Sequence, residues 1–466
     1  MTSRSIEILI SLQRDGVRTL GAQIEDQIRD AIRAGTLRSG APIASTRDLA
    51  EQLGISRPLV VEAYAQLAAE GYLTLRQGSR PRVAALTAVG TGKATEREAI
   101  APPPRYDFRP AVPDLSAFPR ARWLKACRNA LARMPAEELG YGGRHGSEIL
   151  RVALSEYLGR VRCVVAGPAQ IVVTSGFEQG RALACRALHA IGARRIAVED
   201  PSYTEWTPVS RAGLEIVPIP VDGDGMRVEE LDSAKADAVL LTPAHQFPTG
   251  AVLSGERRIK LLAWLRDNDA IAIEDDYDSE FRYDRAPVGS LQGMDPERVI
   301  YAGTASKTLA PALRIGWLVV PRRLQAAVEA EHRLADHGCP RIDQHALAEL
   351  IDSGEFDRHL RRMRILYRQR RDALLTALAA EMPEAVVSGI AAGLHATVRL
   401  PVACNEAAIR VEAQRRSIAL EFLSEHYVGS RPGPAVMLLG YARSPESAIR
   451  AGVHALAAAI RAAQPS

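Results

Sequence analysis

Three apolar stripes with the period of a helix follow one another at the start of the chain. Ile24, Ile28 and Ile32 recur at every fourth residue, so they lie on one face of a helix that begins near Leu20. The second stripe follows a Ser-Thr-Arg-Asp segment, which is typical of a helix start. A turn at Gly54 separates it from the third stripe. The pattern therefore predicts three helices that share one small core.

Two short strand-like segments follow the third helix and flank a turn at residues 77–79. Helices joined by a glycine turn and followed by a two-stranded wing form a winged helix-turn-helix. The N-terminal end of its second helix enters the major groove of DNA, and here that end presents Ser56, Arg57 and Pro58. Arg47 begins the preceding helix, where a guanidinium can hold a phosphate. The wing carries three further cations: Arg76, Arg80 and Arg82.

Charge does not decide whether this module binds DNA or protein. Residues 1–83 contain 11 Arg and 9 Asp or Glu, a net charge of +2, which is not a basic patch. A three-helix module that binds another protein would show the same pattern. Both interpretations therefore remain open from the pattern alone.

From about residue 106 the pattern changes to short β-branched runs that alternate with helical segments. The predicted strands lie in IVVTSG, RRIAVEDPSY, EIVPIPVD, ADAVLLTPAHQFPTG, IAIEDDYD, VIYAGTASK and IGWLVVP. This rhythm predicts an α/β domain with a mostly parallel central sheet and helices on both faces. The remainder predicts a smaller α+β domain, with a helix from Phe356 to Ala379 and strands near HATVRL, SIALEFL and VMLLGYA.

The segment between the two patterns is typical of a linker. Residues 84–106 have little apolar periodicity and end in Pro102, Pro103 and Pro104, so the segment is flexible and then stiff. We therefore predict a DNA-binding domain at residues 1–83, a linker at 84–106, a large domain at 107–330 and a small C-terminal domain at 331–466.

Composition places the chain among globular proteins of a reducing compartment. Its 466 residues are 47% hydrophobic and 24% charged, and the net charge of +4 excludes no class of partner. The longest apolar runs are too short to span a membrane, and the N-terminal IEILI is too short for a secretion signal. Five cysteines show no metal-binding spacing, which predicts reduced thiols in the cytoplasm. They are Cys127, Cys163, Cys185, Cys339 and Cys404.

Polar side chains with complementary chemistry follow two neighbouring strands. One strand delivers Asp275 and Tyr277, and the next delivers a lysine, Lys307. A partly buried lysine amine forms a Schiff base with an aldehyde, and pyridoxal phosphate (PLP) is the aldehyde cofactor that uses one. PLP also needs a carboxylate at its ring nitrogen, a hydroxyl at its phenolic oxygen, and hydroxyls with an arginine around its phosphate. The second strand supplies the last groups: Thr304, Ser306 and Arg314.

The choice of lysine at position 307 stands out because the chain strongly favours arginine. It contains only five lysines among 59 basic residues: Lys93, Lys125, Lys235, Lys260 and Lys307. A guanidinium could not form a Schiff base, so a lysine here fits the cofactor hypothesis.

These motifs resemble two known families. The segment from Ile271 to Gly316 resembles fold-type I PLP enzymes of the aminotransferase class, and STRDLAEQLGISRPLVVEAYAQLAAEGYL resembles the signature of the GntR family. Together they are similar to the MocR subfamily of GntR-type bacterial transcription regulators, over nearly the whole chain. The resemblance implies a winged helix-turn-helix joined to a fold-type I aminotransferase-like domain.

The resemblance also assigns roles to residues. It implies that Lys307 forms the Schiff base, that Asp275 pairs with the ring nitrogen and that Tyr277 contacts the phenolic oxygen. Strand alternation separates Asp275 from its acidic neighbours Glu274 and Asp276. The other implied cofactor contacts are Tyr141 (from the partner subunit), Ser175, Gly176, Phe177, Tyr203, Thr304, Ser306 and Arg314. The implied DNA contacts are Arg47, Ser56, Arg57 and Pro58, with Arg76, Gln77 and Gly78 in the wing.

The sequence departs from these families at several positions. Ala44 replaces the usual proline before the helix-turn-helix, and the wing reads Gly-Ser-Arg-Pro at residues 78–81. Phe247 stands where aminotransferases usually have an asparagine that contacts the phenolic oxygen. The usual arginine for a substrate carboxylate is replaced by Met437, Leu438 or Leu439, and no motif supports the alternatives Arg399, Arg431 and Arg443.

Three hypotheses for function follow. The first is a cytoplasmic transcription regulator that binds PLP and forms a homodimer swapped head-to-tail. Its effector is PLP itself or an amino compound such as γ-aminobutyrate or taurine. Its operator has repeated half-sites. The second is an active aminotransferase with an attached DNA-binding module. The third is an aminotransferase fold retained only for dimerisation. The missing carboxylate arginine favours a sensor over an enzyme, and PLP itself, hence vitamin B6 supply, over an amino acid.

Overall fold

The protein consists of two compact units. In the computed structural model, the described residues are 10–14, 18–85, 102–140, 143, 145–283, 288–336, 338–401, 405–429 and 434–464. One unit is Met1–Pro102 and the other is Pro103–Ser466. The division falls within the predicted linker, most of which lies outside the described residues.

The first unit is a three-helix bundle with a short hairpin. Its elements are α1 (Leu20–Arg33), α2 (Thr46–Leu53), α3 (Arg57–Ala69), β1 (Leu73–Thr74) and β2 (Arg82–Val83). The isoleucines predicted to form one face, Ile24, Ile28 and Ile32, are all buried in its core. The helix periodicity of this stretch is therefore confirmed.

Local chemistry fixes the turn between α2 and α3. The Ser45 hydroxyl accepts a hydrogen bond from the backbone N–H of Asp48, which caps α2. Gly54 ends α2 with φ of 62°, a left-handed conformation that glycine adopts without steric cost. Ser56 occupies the N-cap of α3, but its hydroxyl makes no capping hydrogen bond. The hydroxyl of Ser56 is consequently free for another partner at this exposed helix end.

The second unit contains a large sheet, a small sheet and their helices. Its helices are α4 (Arg120–Arg133), α5 (Glu148–Arg162), α6 (Phe177–Ala190), α7 (Thr207–Arg211), α8 (Leu231–Ala234), α9 (Gly255–Asp267), α10 (Gln325–Ala335), α11 (Arg341–Asp352), α12 (Glu355–Glu381), α13 (Glu406–Arg415) and α14 (Glu446–Ala463). Its strands are β3 (Tyr106–Asp107), β4 (Ile171–Thr174), β5 (Arg195–Asp200), β6 (Glu215–Asp222), β7 (Gly225–Met226), β8 (Ala238–Leu241), β9 (Ile271–Asp276), β10 (Val299–Thr304), β11 (Gly316–Val319), β12 (Val386–Ser388), β13 (His395–Arg399), β14 (Ile418–Ala419), β15 (Glu421–Phe422) and β16 (Val436–Gly440).

The large sheet has the order β4-β11-β10-β9-β8-β5-β6-β7 within the described residues. The pairs from β10 to β6 are parallel, whereas β11 runs antiparallel to both of its neighbours and β7 is antiparallel to β6. A mostly parallel sheet is therefore confirmed. The carboxyl ends of β4, β5, β8, β9 and β10 lie at one edge, the position where open α/β sheets place ligands.

Alternation along β9 shows that both faces of the sheet are covered. Ile271 and Ile273 are buried in a core that includes residues of α6 and α10. Ala272, between them, is buried in a separate core with residues of α9. Because successive strand residues point to opposite faces, helices cover the sheet on both sides, as predicted.

The small domain is built on an antiparallel sheet with the order β12-β13-β16-β15, together with α12, α13 and α14. Strand β3, at the start of the second unit, pairs with β14 near its end, with Tyr106 opposite Ile418. Helix α11, which the predicted boundary at residue 330 assigns to the small domain, packs on α4 and α5. Within this unit the finer domain boundaries stay predictions.

None of the described helices is both long and apolar enough to cross a membrane.

Candidate functional site

A cavity of about 390 Å³ lies at the carboxyl edge of the large sheet. Its lining brings together residues that are far apart in sequence: Pro110, Ala111, Val112, Phe177, Glu178, Arg181, Glu199, Ser202, Tyr203, Trp206, Leu240, Leu241, Thr242, Phe247, Asp275, Tyr277, Thr304, Ser306, Lys307, Pro311, Arg314, Glu421 and His426. Most of the predicted cofactor residues line it. Ser175 and Gly176 lie next to it, and Tyr141 lies outside the described residues.

Lys307 follows β10 and reaches into this cavity. Its ammonium donates a hydrogen bond of 2.7 Å to the carbonyl oxygen of Ala111, 196 residues earlier in the chain. Burial lowers the pKa of Lys307, and the carboxylates of Asp275 and Asp278 only partly oppose this effect. A lysine with a lowered pKa is more often deprotonated at neutral pH and is therefore a better nucleophile.

Asp275 is separated from its acidic neighbours by strand alternation. Glu274 accepts hydrogen bonds from the backbone N–H groups of Leu291 and Gln292, both at 3.0 Å. Asp276 binds Arg162 and the Tyr301 hydroxyl, both at 2.6 Å. Neither acid lines the cavity, and each has partners elsewhere, although Oδ1 of Asp276 has no hydrogen-bond partner among the described residues.

The carboxyl of Asp275 itself lines the cavity, and its Oδ1 is buried without a hydrogen-bond partner among the described residues. Burial raises the pKa of Asp275 well above its ordinary range, and the nearby Asp276 adds to this. Arg181 and Lys307 act in the opposite direction. A buried carboxyl with an open oxygen is suited to a protonated nitrogen of a ligand.

The hydroxyl of Tyr277 belongs to a buried network. It lies 3.0 Å from Nδ1 of His245, which also lies 2.9 Å from Oδ2 of Asp278. Burial lowers the pKa of His245, but the charge and hydrogen bond of Asp278 outweigh it and raise this pKa above its usual value. The network fixes the tyrosine ring at the wall of the cavity. Sequence reasoning missed His245 and Asp278, because their roles depend on contacts rather than on spacing.

Three segments of the chain meet on the side of the cavity where the family resemblance places a phosphate. Arg314 donates a hydrogen bond of 2.6 Å to the carbonyl oxygen of Ser175. Gly176, the N-cap of α6, has φ of 90°, and a Cβ added to it would lie 3.0 Å from the Arg314 guanidinium. The Thr304 hydroxyl donates to the Ser306 hydroxyl at 2.9 Å. An arginine, two hydroxyls and a helix N-terminus form a suitable environment for an anion.

Alanine at position 176 is expected to weaken binding of PLP about 10-fold or more while leaving pyridoxal, which lacks the phosphate, unaffected. The added methyl group needs a strained backbone and displaces the Arg314 guanidinium, and a charge-assisted hydrogen bond contributes about 1.5–3 kcal/mol. Ligand titration of the two aldehydes measures the difference. The control is Gly192→Ala at the other end of α6, where φ is also positive but a Cβ meets nothing within 4 Å. Equal losses for both aldehydes would contradict the assignment.

An aromatic and cationic wall closes the cavity next to α6. Tyr203 is 45% exposed, so one face of its ring is available to a ligand. The Arg181 guanidinium lies 5.3 Å from the centre of this ring and 5.7 Å from that of Phe177. Arg181 is buried and donates to the Glu178 carboxylate at 2.6 Å and to the carbonyl oxygen of Glu205 at 2.5 Å. Sequence reasoning missed Arg181, since a lone arginine inside a helix carries no motif.

Phe247 and Glu199 form another part of the cavity wall. Phe247 packs edge-on against Tyr277, His395 and His426, with ring centroids 5.2–6.0 Å apart. Burial raises the pKa of Glu199 to about 7, although Thr242 donates to it through N–H and hydroxyl groups at 2.9 and 2.7 Å. The wall is thus largely apolar, with one carboxyl that is close to its titration point at neutral pH.

We expect a measurable pH dependence of stability from Glu199. Its folded-state pKa of about 7 is above the ordinary value of 4.5, so the folded protein retains a proton that the unfolded chain releases. The wild type is therefore expected to lose up to about 3 kcal/mol relative to Glu199→Gln as the pH rises from about 4.5 to 7.5. Denaturant unfolding at both pH values tests this. Glu215→Gln, which removes an exposed carboxylate from β6, controls for the loss of one charge.

The segment that aminotransferases use for a substrate-carboxylate arginine is apolar here. Met437, Leu438 and Leu439 are fully buried in β16. Arg443 is paired with Asp107, and Arg399 is exposed on β13. Arg431 lies outside the described residues. Among the residues that the structure describes, the only arginines in the cavity lining are Arg181 and Arg314.

The predicted DNA contacts form exposed positions on the first unit. They lie at the start of α2, at the start of α3 and in the turn between β1 and β2: Arg47, Ser56, Arg57, Pro58, Arg76, Gln77 and Gly78. All are exposed, so none is held in the core. Their roles in DNA binding stay predictions.

Comparisons with known proteins agree with this organisation. Residues 20–83 match the family of bacterial regulatory proteins, gntR family, and residues 113–422 match aminotransferase class I and II. The chain is 32% identical to the HTH-type pyridoxine biosynthesis transcriptional regulator PdxR of Corynebacterium glutamicum, covering 95% of this chain and 96% of that protein. It is 33% identical to the probable rhizopine catabolism regulatory protein MocR of Rhizobium meliloti, covering 98% and 97%.

Similarity to solved structures supports the same fold. The multiple substrate aminotransferase of Thermococcus profundus superposes with a TM-score of 0.69 and 27% identity, over 76% of this chain and 91% of that one. Fold and site together define a winged helix-turn-helix protein with an aminotransferase-like domain of fold type I. The chain belongs to the GntR-type HTH transcription regulators of the MocR kind.

Proposed function

We propose that this regulator binds PLP in its aminotransferase-like domain and that binding changes its affinity for operator DNA. The unpaired, buried Oδ1 of Asp275 is the observation that carries the proposal, because a buried acceptor without a partner is costly unless a ligand satisfies it. A protonated ring nitrogen is such a donor. Lys307, whose pKa is lowered, and the anion-binding corner formed by Gly176 and Arg314 supply the other groups that PLP requires.

Each residue would have a separate task. Asp275 holds the proton on the ring nitrogen, Tyr277 orients the phenolic oxygen, and Tyr203 supports one face of the ring. Arg314, Thr304, Ser306 and the N-terminus of α6 hold the phosphate. PLP, when bound, supplies an aldehyde that a lysine amine captures and a ring that withdraws electrons. Lys307 is the amine in reach of this site, and burial keeps part of it unprotonated.

PLP itself is the effector that the site supports best. An amino-acid effector needs a cation for its carboxylate, but Arg181 is already bound to Glu178, and β16 offers only apolar side chains in the segment where enzymes have an arginine. A relative of 32% identity carries the name pyridoxine biosynthesis regulator. Control of vitamin B6 supply is therefore the regulatory role that we propose for this chain.

DNA binding would use a pair of winged helix-turn-helix modules. We propose a cytoplasmic homodimer, swapped head-to-tail, in which each subunit reads one of two repeated half-sites of double-stranded DNA through Arg47, Ser56 and Arg57. Tyr141 would reach the phosphate in the partner subunit. PLP changes DNA binding only if the two arrangements of the dimer bind it with different affinities.

A working aminotransferase is the second candidate. It is favoured by the aminotransferases among the similar structures and by the presence of Lys307, Asp275 and Arg314 in one cavity. In that case the cofactor held by these residues would accept the amino group of an amino acid, and the amino acid would leave as a keto acid. The apolar β16 argues against an efficient reaction with a carboxylate-bearing substrate.

The decisive experiment titrates the full chain, bound to its operator, with PLP and with amino compounds. We expect PLP alone to change the apparent affinity for DNA, whereas γ-aminobutyrate, taurine and common amino acids have no further effect. Formation of keto acid in the same mixtures would support the aminotransferase. DNA binding that ignores PLP although PLP is bound would overturn the regulatory proposal.

A further inference from the structure

A second cavity, of about 330 Å³, lies elsewhere in the second unit. Its walls come from α5, from the segment that follows β9, and from α12: Tyr157, Arg160, Val161, Arg162, Ser279, Glu280, Asp357, Leu360, Arg361 and Arg364. It shares no lining residue with the cavity of Lys307. Nothing in the proposed function uses it.

Two buried donors of this cavity lack partners. Arg162 is 2% exposed and donates through Nε to Asp276 at 2.6 Å and through Nη1 to the carbonyl oxygen of Val288 at 2.8 Å. Its Nη2 has no hydrogen-bond partner in the part of the chain that the structure describes. The same holds for the hydroxyl of Ser279, which is 7% exposed. Because buried donors are normally hydrogen-bonded, two unpaired donors in one cavity indicate that a ligand supplies the acceptor.

Two further arginines add positive charge. Arg361 and Arg364 both line the cavity from α12. Arg364 donates to the carbonyl oxygen of Glu280 at 2.7 Å, and within the described ranges neither arginine forms an ion pair with a carboxylate. Their guanidinium groups are available to an anion.

The acidic groups around the cavity are largely compensated. Asp357 is paired with Arg160 at 2.8 Å, and Asp276 is paired with Arg162 and accepts from the Tyr301 hydroxyl. Burial raises the pKa of Glu280 to about 7, so a good part of this carboxyl is neutral at physiological pH. The remaining charge of the cavity is therefore positive.

We propose that this cavity is a second ligand site, which binds the phosphate group of a small phosphorylated molecule. A dianionic phosphate has three acceptor oxygens and pairs with planar guanidinium groups through two hydrogen bonds at a time. Arg162 Nη2, Arg361, Arg364 and the Ser279 hydroxyl are the donors. A phosphate monoester or free phosphate would satisfy the same groups.

The test uses the full chain with Arg314→Gln, which weakens phosphate binding at the first cavity. Inorganic phosphate and glycerol 3-phosphate are titrated separately by calorimetry. We expect saturable binding of one ligand per chain, weakened about 10-fold or more by the added substitution Arg364→Gln. Arg358→Gln removes the same charge from the same helix, where Arg358 is exposed and paired with Glu355, and is expected to have no effect. Tighter binding of glycerol 3-phosphate than of inorganic phosphate would indicate that the natural ligand is a phosphate ester.

A second variant, Glu280→Gln, tests the site even if Arg364→Gln unfolds the protein. Glu280→Gln removes the lining carboxyl that forms no ion pair among the described residues, so it is expected to tighten binding of an anion several-fold at pH 8. The absence of saturable binding, or equal losses in Arg364→Gln and Arg358→Gln, would overturn the proposal. So would weaker binding in Glu280→Gln.

Discussion

Alanine in place of Lys307 is expected to abolish the PLP response and to leave basal DNA binding intact. The substitution removes the amine that the site offers to an aldehyde, while Asp275, Arg314 and the DNA-binding unit keep their positions. Apparent affinity for PLP is expected to fall by at least about 100-fold, equivalent to about 2.7 kcal/mol, because only non-covalent contacts remain. Borohydride treatment should then leave no cofactor attached to the peptide that contains residue 307.

Two controls separate chemistry from folding. Lys307→Arg retains a cation near the Ala111 carbonyl but cannot capture an aldehyde, so it should fail in the same way. Lys260→Ala removes an exposed lysine paired with Glu256 and should behave as wild type. Loss of basal DNA binding in Lys307→Ala, with unfolding curves unchanged, would contradict a purely ligand-sensing role for this lysine.

Alanine in place of Arg57 is expected to weaken operator binding about 5- to 150-fold. Arg57 is the exposed first residue of α3, and we predict that its side chain contacts base edges, where a good contact contributes about 1–3 kcal/mol of discrimination. Competition with non-specific DNA should show that most of the loss is in specificity. Fluorescence anisotropy with both DNAs measures this.

The matched control for Arg57 is Arg18→Ala. Arg18 is also exposed in the first unit but is paired with Asp26, and no motif assigns it to DNA. It should change binding only through charge, with a small effect that high salt removes. Equal effects of the two substitutions on specific and non-specific DNA would show that Arg57 contributes charge alone.

The parts of this protein that could be predicted from sequence are those with local causes. Ile24, Ile28 and Ile32 form a buried face because helix periodicity is a property of neighbouring turns. The separation of Asp275 from Asp276 followed from the two-residue period of a strand. Gly54 marked the turn between two helices because few other residues adopt its backbone conformation without strain.

What sequence could not supply depends on contacts between distant residues. The carbonyl group of Ala111 meets Lys307 across 196 residues, and no local pattern indicates that pairing. The contacts of Arg181 with the Glu205 carbonyl oxygen and the Tyr203 ring arise only when α6 packs beside the segment after β5. The raised pKa of Glu199 likewise reflects burial, which a residue type alone does not determine.

The scarcity of lysine gives this protein an unusual chemical selectivity. Lys125, Lys235 and Lys260 are exposed, and Glu256 raises the pKa of Lys260, so that amine is mostly protonated and a poor nucleophile at neutral pH. Lys307 is buried and its pKa is lowered, so among the described lysines it is the amine that condenses most readily with an aldehyde. The many arginines do not compete for aldehydes, because a guanidinium does not form a Schiff base. Among the four lysines that the structure describes, a limiting dose of a carbonyl reagent would therefore react mainly at Lys307, and the regulator would lose few aldehyde molecules to the other three.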